Sequence, residues 1–250
     1  MGEHVSVEAR GNVALVRLDR PPANAMDQAL LDEATAVAAR MTRERPDAVV
    51  LTGRPGFFSA GIDLTVAPHL DEAGQRAMVT GINRLMAGWY RCPRPVVTAV
   101  NGHAVAGGLF LALCGDWRVG TTEGRYGLTE VRVGVAYPAV VLAIARAELA
   151  PPVLRRLVLR AHLLEAAEAE REGLWDEVVP PDEVLGRALE RGEELAALPR
   201  RAYEHAKRQL REPVLAPVAA TLDGADPVAG SWTADETRDA AAARLRGRSG

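Results

Sequence analysis

Twice the chain runs a short apolar segment rich in β-branched residues straight into a glycine-containing turn, with a stretch of helical period between the two copies. Ala48-Val49-Val50-Leu51-Thr52-Gly53 leads to Phe57-Phe58-Ser59-Ala60-Gly61-Ile62-Asp63-Leu64, and Pro95-Val96-Val97-Thr98-Ala99-Val100 leads to Asn101-Gly102-His103-Ala104-Val105-Ala106-Gly107-Gly108. Continuous apolar runs of this kind fit strands buried on both faces, and their alternation with helices predicts an α/β fold with a largely parallel sheet under helical cover. Each turn can aim a backbone N–H at a common point. A pair of such donors suits an enolate oxygen.

Local signals fill in the rest. Val5 and Val7, then Val13, Leu15, Val16 and Leu18, flank Gly11-Asn12 and read as a hairpin. Asp27 is placed to cap a helix whose Leu30, Leu31, Ala34, Val37, Ala38 and Met41 follow the 3.6-residue period. A second helix is expected over 71–89 and a short apolar one over 109–113, after which Trp117-Arg118-Val119 resumes the sheet. Beyond Pro138 helices dominate, at 140–149, 152–159, 166–172 closed by Gly173, 182–198 and 199–210, with one short strand at 175–179. Residues 211–230 contain Pro213, Pro217, Pro227 and Gly224 and read as a bend or linker. A last alanine- and arginine-rich helix at about 235–245 has little apolar bulk, so it is expected to pack elsewhere, on a neighbouring subunit.

At 250 residues, 48% hydrophobic and 25% charged, the chain can bury a substantial core. A net charge of −3 gives no overall electrostatic case for nucleic acid, and no apolar run approaches the ~18 residues of a membrane span. A cytoplasmic location is therefore expected. Cys92 and Cys114 lack CxxC spacing and read as buried free thiols, while His4, His69, His103, His162 and His205 are scattered without metal-ligand spacing, so no metal is expected.

The chemistry concentrates in one place. Glu130, closing Tyr126-Gly127-Leu128-Thr129-Glu130, is the only obvious acid/base in the half of the chain that carries the glycine turns. On statistics alone a glutamate pairs at the surface, here with Arg132 or Arg125, and Phe110 in its apolar run reads as core. Asp116 reads as a structural partner at a strand start.

Taken in order, Arg20-Pro21-Pro22-Ala23-Asn24-Ala25, Ser59-Ala60-Gly61-Ile62-Asp63-Leu64, Val100-Asn101-Gly102, Ala106-Gly107-Gly108, Glu170-Arg171-Glu172-Gly173-Leu174 and Val178-Val179-Pro180 resemble the crotonase superfamily of enoyl-CoA hydratases and isomerases over nearly the whole chain. The resemblance implies a ββα spiral core over 1–195 and a C-terminal helical, trimerising region over 196–250, assembled as a homotrimer or dimer of trimers. It implies an oxyanion hole from the Ala60 and Gly107 N–H groups, the latter at a helix N-terminus. Ala60 to Leu64 would line the coenzyme A path. Ala23, Ala25, Ser59, Gly61, Ile62, Asp63, Leu64, Gly108, Phe110, Thr129 and Tyr137 would meet an acyl-CoA thioester, coenzyme A being part of the substrate and no separate cofactor being needed. Arg84, Arg91 and Arg94 stand as candidate phosphate partners.

Hydratases of the superfamily use two glutamates, and by their spacing Phe110 takes the first place and Glu130 the second. Hydration needs a water gripped by both carboxylates. A single carboxylate is sufficient to move a proton from C2 to C4 of a 3-enoyl thioester, and the site is similar to Δ3,Δ2-enoyl-CoA isomerases, with Thr129 where an asparagine is usual. The resemblance therefore implies isomerisation of 3-enoyl-CoA to 2-enoyl-CoA in fatty-acid breakdown or a related pathway. A non-catalytic acyl-CoA binder, or another crotonase reaction such as weak hydration, thioester hydrolysis or decarboxylation, is the alternative.

Overall fold

The computed structural model describes residues 2–229. The predicted closing helix at 235–245 lies outside them. A six-stranded sheet has the order β1 (Val5–Arg10), β2 (Val13–Leu18), β3 (Ala48–Thr52), β5 (Val96–Ala99), β7 (Trp117–Thr121) and β10 (Glu177–Val179). Only β1 and β2 are antiparallel, joined at Gly11 (φ +58°); every other neighbour in that sheet is parallel.

β3, β5 and β7 each continue into a short strand of a second sheet. Thus β3 is followed by β4 (Gly56–Ser59) and α2 (Glu72–Tyr90), while β5 is followed by β6 (Gly102–Val105) and α3 (Gly107–Ala112). In the third repetition β7 is followed by β8 (Arg125–Gly127) and a 3-10 turn at Glu130–Val133. β4, β6 and β8 lie side by side and parallel, closed by antiparallel β9 (Leu163–Glu165). The result is a spiral of ββα turns. Its consequence is positional, because the C-terminal ends of three adjacent strands release residues 60–63, 106–107 and 130 at one edge.

The local chemistry explains the main elements. α1 (Gln28–Glu44) starts where Asp27 accepts from Leu30 N–H at 2.9 Å, and α2 starts where Asp71 accepts from Gly74 N–H at 2.8 Å. Along β2 and β3 the alternate residues Val16, Leu18, Val49 and Leu51 face the main core beneath α1 and α2. Val13, Leu15 and Val50 face a second core closed by Val184 and Ala188 of α7 (Val184–Ala196). The central strands are therefore buried on both faces, as their unbroken apolar runs require.

Helices α4 (Ala139–Glu148), α5 (Pro151–Arg160) and α6 (Ala166–Arg171) follow the expected order, and Gly173 ends α6 with φ +73°. α8 (Arg200–Leu215) runs past the predicted end, with Pro213 in its last turn, and a 3-10 segment (Ala216–Asp223) continues from it. The predicted linker over 211–230 is thus corrected, because this stretch is packed. Arg211 donates to the carbonyls of Tyr90, Cys114 and Gly115, and Asp226 accepts from Asn83 Nδ2 and Ala139 N–H, both at 2.8 Å. Cys92 and Cys114 are buried and unpaired. No helix among the described residues is long and apolar enough to cross a membrane.

Candidate active site

The turns after β4 and β6 meet. Gly61 has φ +80°, and a Cβ placed on it would stand 2.7 Å from the Ala106 Cβ and 3.0 Å from the Gly107 nitrogen. Only glycine allows that approach. Ala106 itself sits at φ +52°, with its N–H donated to the Gly127 carbonyl at 2.8 Å, a sparsely populated backbone state that turns the start of α3 toward the cavity.

The two turns offer donors, but one of them differs from the sequence expectation. Ala60 N–H donates to the Ala23 carbonyl at 2.9 Å, so it is committed to holding the 20–25 loop and is not free for an oxyanion. Ile62 N–H is the amide of this turn that stands beside Gly107 N–H. Neither Ile62 N–H nor Gly107 N–H donates to a protein acceptor among the described residues, and the Ile62 nitrogen lies 3.9 Å from where a Gly107 Cβ would stand. The Ile62 peptide is fixed by a parallel bridge to Met26, in which Met26 N–H donates to the Gly61 carbonyl (2.7 Å) and Asp63 N–H donates to the Met26 carbonyl (3.0 Å). That bridge joins segments far apart in the chain, so the glycine turn by itself does not reveal which amide is committed to the fold.

The cavity beside these donors has a volume of ≈ 370 Å³. One wall is Ala23, Ala25, Ala60, Ile62, Asp63 and Leu64, and the facing wall includes Thr129, Glu130, Arg132, Val133 and Val135. Ser59 and Gly108 were expected to touch substrate, but they act as scaffold. Ser59 Oγ donates to the Asn24 carbonyl (2.7 Å) and accepts from Gly61 N–H (3.1 Å), and a Cβ on Gly108 would stand 2.2 Å from the Ser59 carbonyl.

Glu130 is 5% exposed, and its Oε2 has no hydrogen-bond partner among the described residues. It is not the surface glutamate of the statistical reading, since neither Arg132 nor Arg125 pairs with it; Arg125 pairs instead with Glu165 at 2.9 Å. Burial pushes its carboxyl up to about 8, because desolvation outweighs the opposing backbone hydrogen bonds and the neighbouring Tyr137 hydroxyl. The Tyr137 hydroxyl oxygen, 3.4 Å from each of the Leu128 and Val158 carbonyls, is a neutral hydrogen-bonding neighbour and brings no counter-charge to the carboxylate. Phe110, buried at the start of α3, meets Tyr137 edge-on with ring centroids 5.9 Å apart. The two aromatic rings back the site rather than line its cavity.

Two cations lie at the cavity, Arg20 and Arg132. The three arginines named from sequence do not line it. Arg94 is buried against the carbonyls of Pro46 and Asp47 and against Glu204, and Arg84 donates to the Leu222 carbonyl, so both serve the fold. Arg20 entered the sequence reading only as part of the 20–25 motif and without a role, because its partners Asp27 and Asp63 become neighbours only when the β4 turn meets the loop before α1. Asp63 is held below the usual carboxylate range: burial opposes this, but hydrogen bonds from Thr65 and Arg20 prevail. No group of three His, Cys, Asp or Glu among the described residues is arranged for a metal.

Comparison with known proteins agrees with this architecture. A putative enoyl-CoA hydratase of Thermus thermophilus is 40% identical over 152 residues, a match that spans 60% of this chain and 60% of the relative. Probable enoyl-CoA hydratase EchA17 of Mycobacterium tuberculosis is 33% identical over 182 residues, 70% of this chain and 68% of that one. Human mitochondrial Δ3-Δ2-enoyl-CoA isomerase superposes with a TM-score of 0.92 at 26% identity, covering 99% of this chain and 100% of the other. The enoyl-CoA hydratase/isomerase profile itself matches residues 8–241, and the chain belongs to that family, within the crotonase superfamily.

Proposed function

We propose that the protein isomerises 3-enoyl-CoA thioesters to 2-enoyl-CoA with Glu130 as the single proton carrier. The observation that carries this reading is the pairing of a buried Glu130, whose Oε2 has no hydrogen-bond partner among the described residues, with a buried Phe110 where a second carboxylate would be needed for hydration. Substrate binds with its thioester oxygen between Ile62 N–H and Gly107 N–H. The Glu130 carboxylate removes a C2 proton, the C2–H electrons form the C1–C2 double bond of a dienolate, and the charge collects on the thioester oxygen where the two donors meet it. The protonated Glu130 then returns the proton at C4, and the double bond settles between C2 and C3. A carboxylate raised by burial is a stronger base than one in water, which favours the first step.

Phe110 supplies neither an acid nor a base, so a water molecule receives no second grip. Coenzyme A is part of the substrate and the chemistry requires no separate cofactor. The proposal extends to a homotrimer or dimer of trimers in the cytoplasm, which sedimentation and cell fractionation test.

The decisive assay is turnover of 3-hexenoyl-CoA by wild type and Glu130→Gln, with crotonyl-CoA hydration followed alongside. Isomerisation that collapses in the variant, with little hydration by either protein, is the expected result. Binding of both thioesters without turnover of either by wild type would leave an acyl-CoA binder as the better account.

A further inference from the structure

Arg20 sits at the rim of the cavity and joins two segments, the loop before α1 and the turn after β4, through charged side chains. Its Nη1 donates to the Ala25 carbonyl (2.9 Å), and its Nη2 lies 2.9 Å from both Asp27 Oδ2 and Asp63 Oδ2. Its own N–H donates to Asn24 Oδ1 at 2.8 Å, which anchors the base of the side chain in the same loop. Asp27 is held independently as the cap of α1, and Asp63 Oδ1 accepts both the N–H (2.9 Å) and the hydroxyl (2.6 Å) of Thr65. The guanidinium is thus a rigid fork between a fixed helix start and the residue immediately after Ile62.

This position matters because the Ile62 peptide is otherwise fixed by only two backbone hydrogen bonds, both to Met26. We infer that Arg20 is a positioning residue, which through Asp63 sets the direction in which the Ile62 N–H points at the thioester oxygen. The inference rests on the oxyanion reading proposed above. Arg20 does not touch the reacting atoms in that reading. Its loss would leave the Asp63 carboxylate held by Thr65 alone and let the Ile62 amide tilt away from the line of the carbonyl against its bridge to Met26. Misplacement of this kind affects the transition state more than ground-state binding.

The test combines kinetics with a spectroscopic reading of the amide. Hexanoyl-CoA labelled with carbon-13 at the thioester carbonyl is bound to wild type, Arg20→Met, Arg20→Lys and Asp63→Asn, and the carbonyl stretch is recorded by isotope-edited infrared difference spectroscopy. Wild type is expected to shift the stretch to lower wavenumber, and Arg20→Met to return it toward the free thioester. In 3-hexenoyl-CoA isomerisation, kcat falls roughly 10- to 100-fold while KM stays within about threefold, and Arg20→Lys recovers part of both signals because an ammonium engages one carboxylate at a time. Asp63→Asn keeps an acceptor for Thr65 and reports the same loss should Arg20→Met fold poorly. A wild-type shift that is unchanged in Arg20→Met and in Asp63→Asn would overturn the inference and leave the oxyanion reading intact. No shift in wild type would remove that reading, and the positioning role with it.

Discussion

Asp116 and Glu130 are two carboxylates in the same spiral, one just before β7 and the other just after β8, and the fold treats them in opposite ways. Asp116 accepts Val96 N–H at 2.8 Å and Lys207 Nζ at 2.6 Å, and pairs with Arg211 at 2.8 Å. Those two cations belong to α8, so the ion cluster fastens the C-terminal helix onto the start of the sheet. Glu130, more deeply buried, receives no cation among the described residues, and one of its oxygens has no partner there. A buried carboxylate without a counter-charge is costly to the fold. The contrast separates a carboxylate tied into the structure from one for which the proposed chemistry gives a use, with partners rather than burial as the criterion.

Isosteric amides at the two positions would break the contrast most directly. Glu130→Gln is expected to reduce isomerase kcat by roughly 10²- to 10⁴-fold, the range for loss of a positioned acid/base, with a melting temperature equal to or above wild type. Asp116→Asn is expected to do the reverse. Leaving Lys207 and Arg211 buried without their counter-charge costs about 3–5 kcal/mol of stability, visible in chemical denaturation, while turnover per folded molecule stays near wild type. If Asp116→Asn abolished turnover without loss of stability, the division between the two roles would be wrong.

A smaller effect sharpens the same comparison. Glu130 rises from 4.5 in the unfolded chain to about 8 in the folded protein. Between those values the folded state holds a proton that the unfolded state has lost, so this group makes stability fall as pH rises through the window and level off above it. Its slope is at most about 1.4 kcal/mol per pH unit, and Glu130→Gln removes it. Activity runs the other way, because the base must be ionised. The kcat/KM of wild type is expected to rise with pH toward a plateau above about 8. A profile already flat from pH 6 would contradict a buried base without a counter-charge.

Much of this arrangement was legible in the sequence wherever its determinants are local. Asp27 and Asp71 announce the helices they cap, and the apolar runs of β3 and β5 announce strands buried on both faces. The second sheet was not legible, since β4, β6, β8 and β9 are three or four residues long and are stabilised by pairing with one another rather than by intrinsic pattern. α8 was cut short at the approach to Pro213, yet proline in a last turn removes a hydrogen bond that little depends on, and Arg211 fastens that turn from outside. In the candidate site, Glu130 and Gly107 were named from family spacing. The exchange of Ala60 for Ile62 and the fork made by Arg20 depend on which segments meet, and no spacing along the chain encodes that.

The two buried thiols give the molecule a built-in reporter of its own opening. Cys114 is pushed up to about 12 by burial, and Cys92 is raised for the same reason, so neither presents an appreciable thiolate to solvent while the fold is closed. Cys114 donates to the Phe110 carbonyl at 3.4 Å, and its own carbonyl accepts from Arg211, which places it between the active-site aromatic layer and the α8 clasp. Modification by a thiol reagent must therefore wait for that clasp to release, and its rate measures how often release occurs. Asp116→Asn should accelerate the labelling of Cys114 and Glu130→Gln should not, so a single unengineered cysteine distinguishes a loosened scaffold from a silenced site.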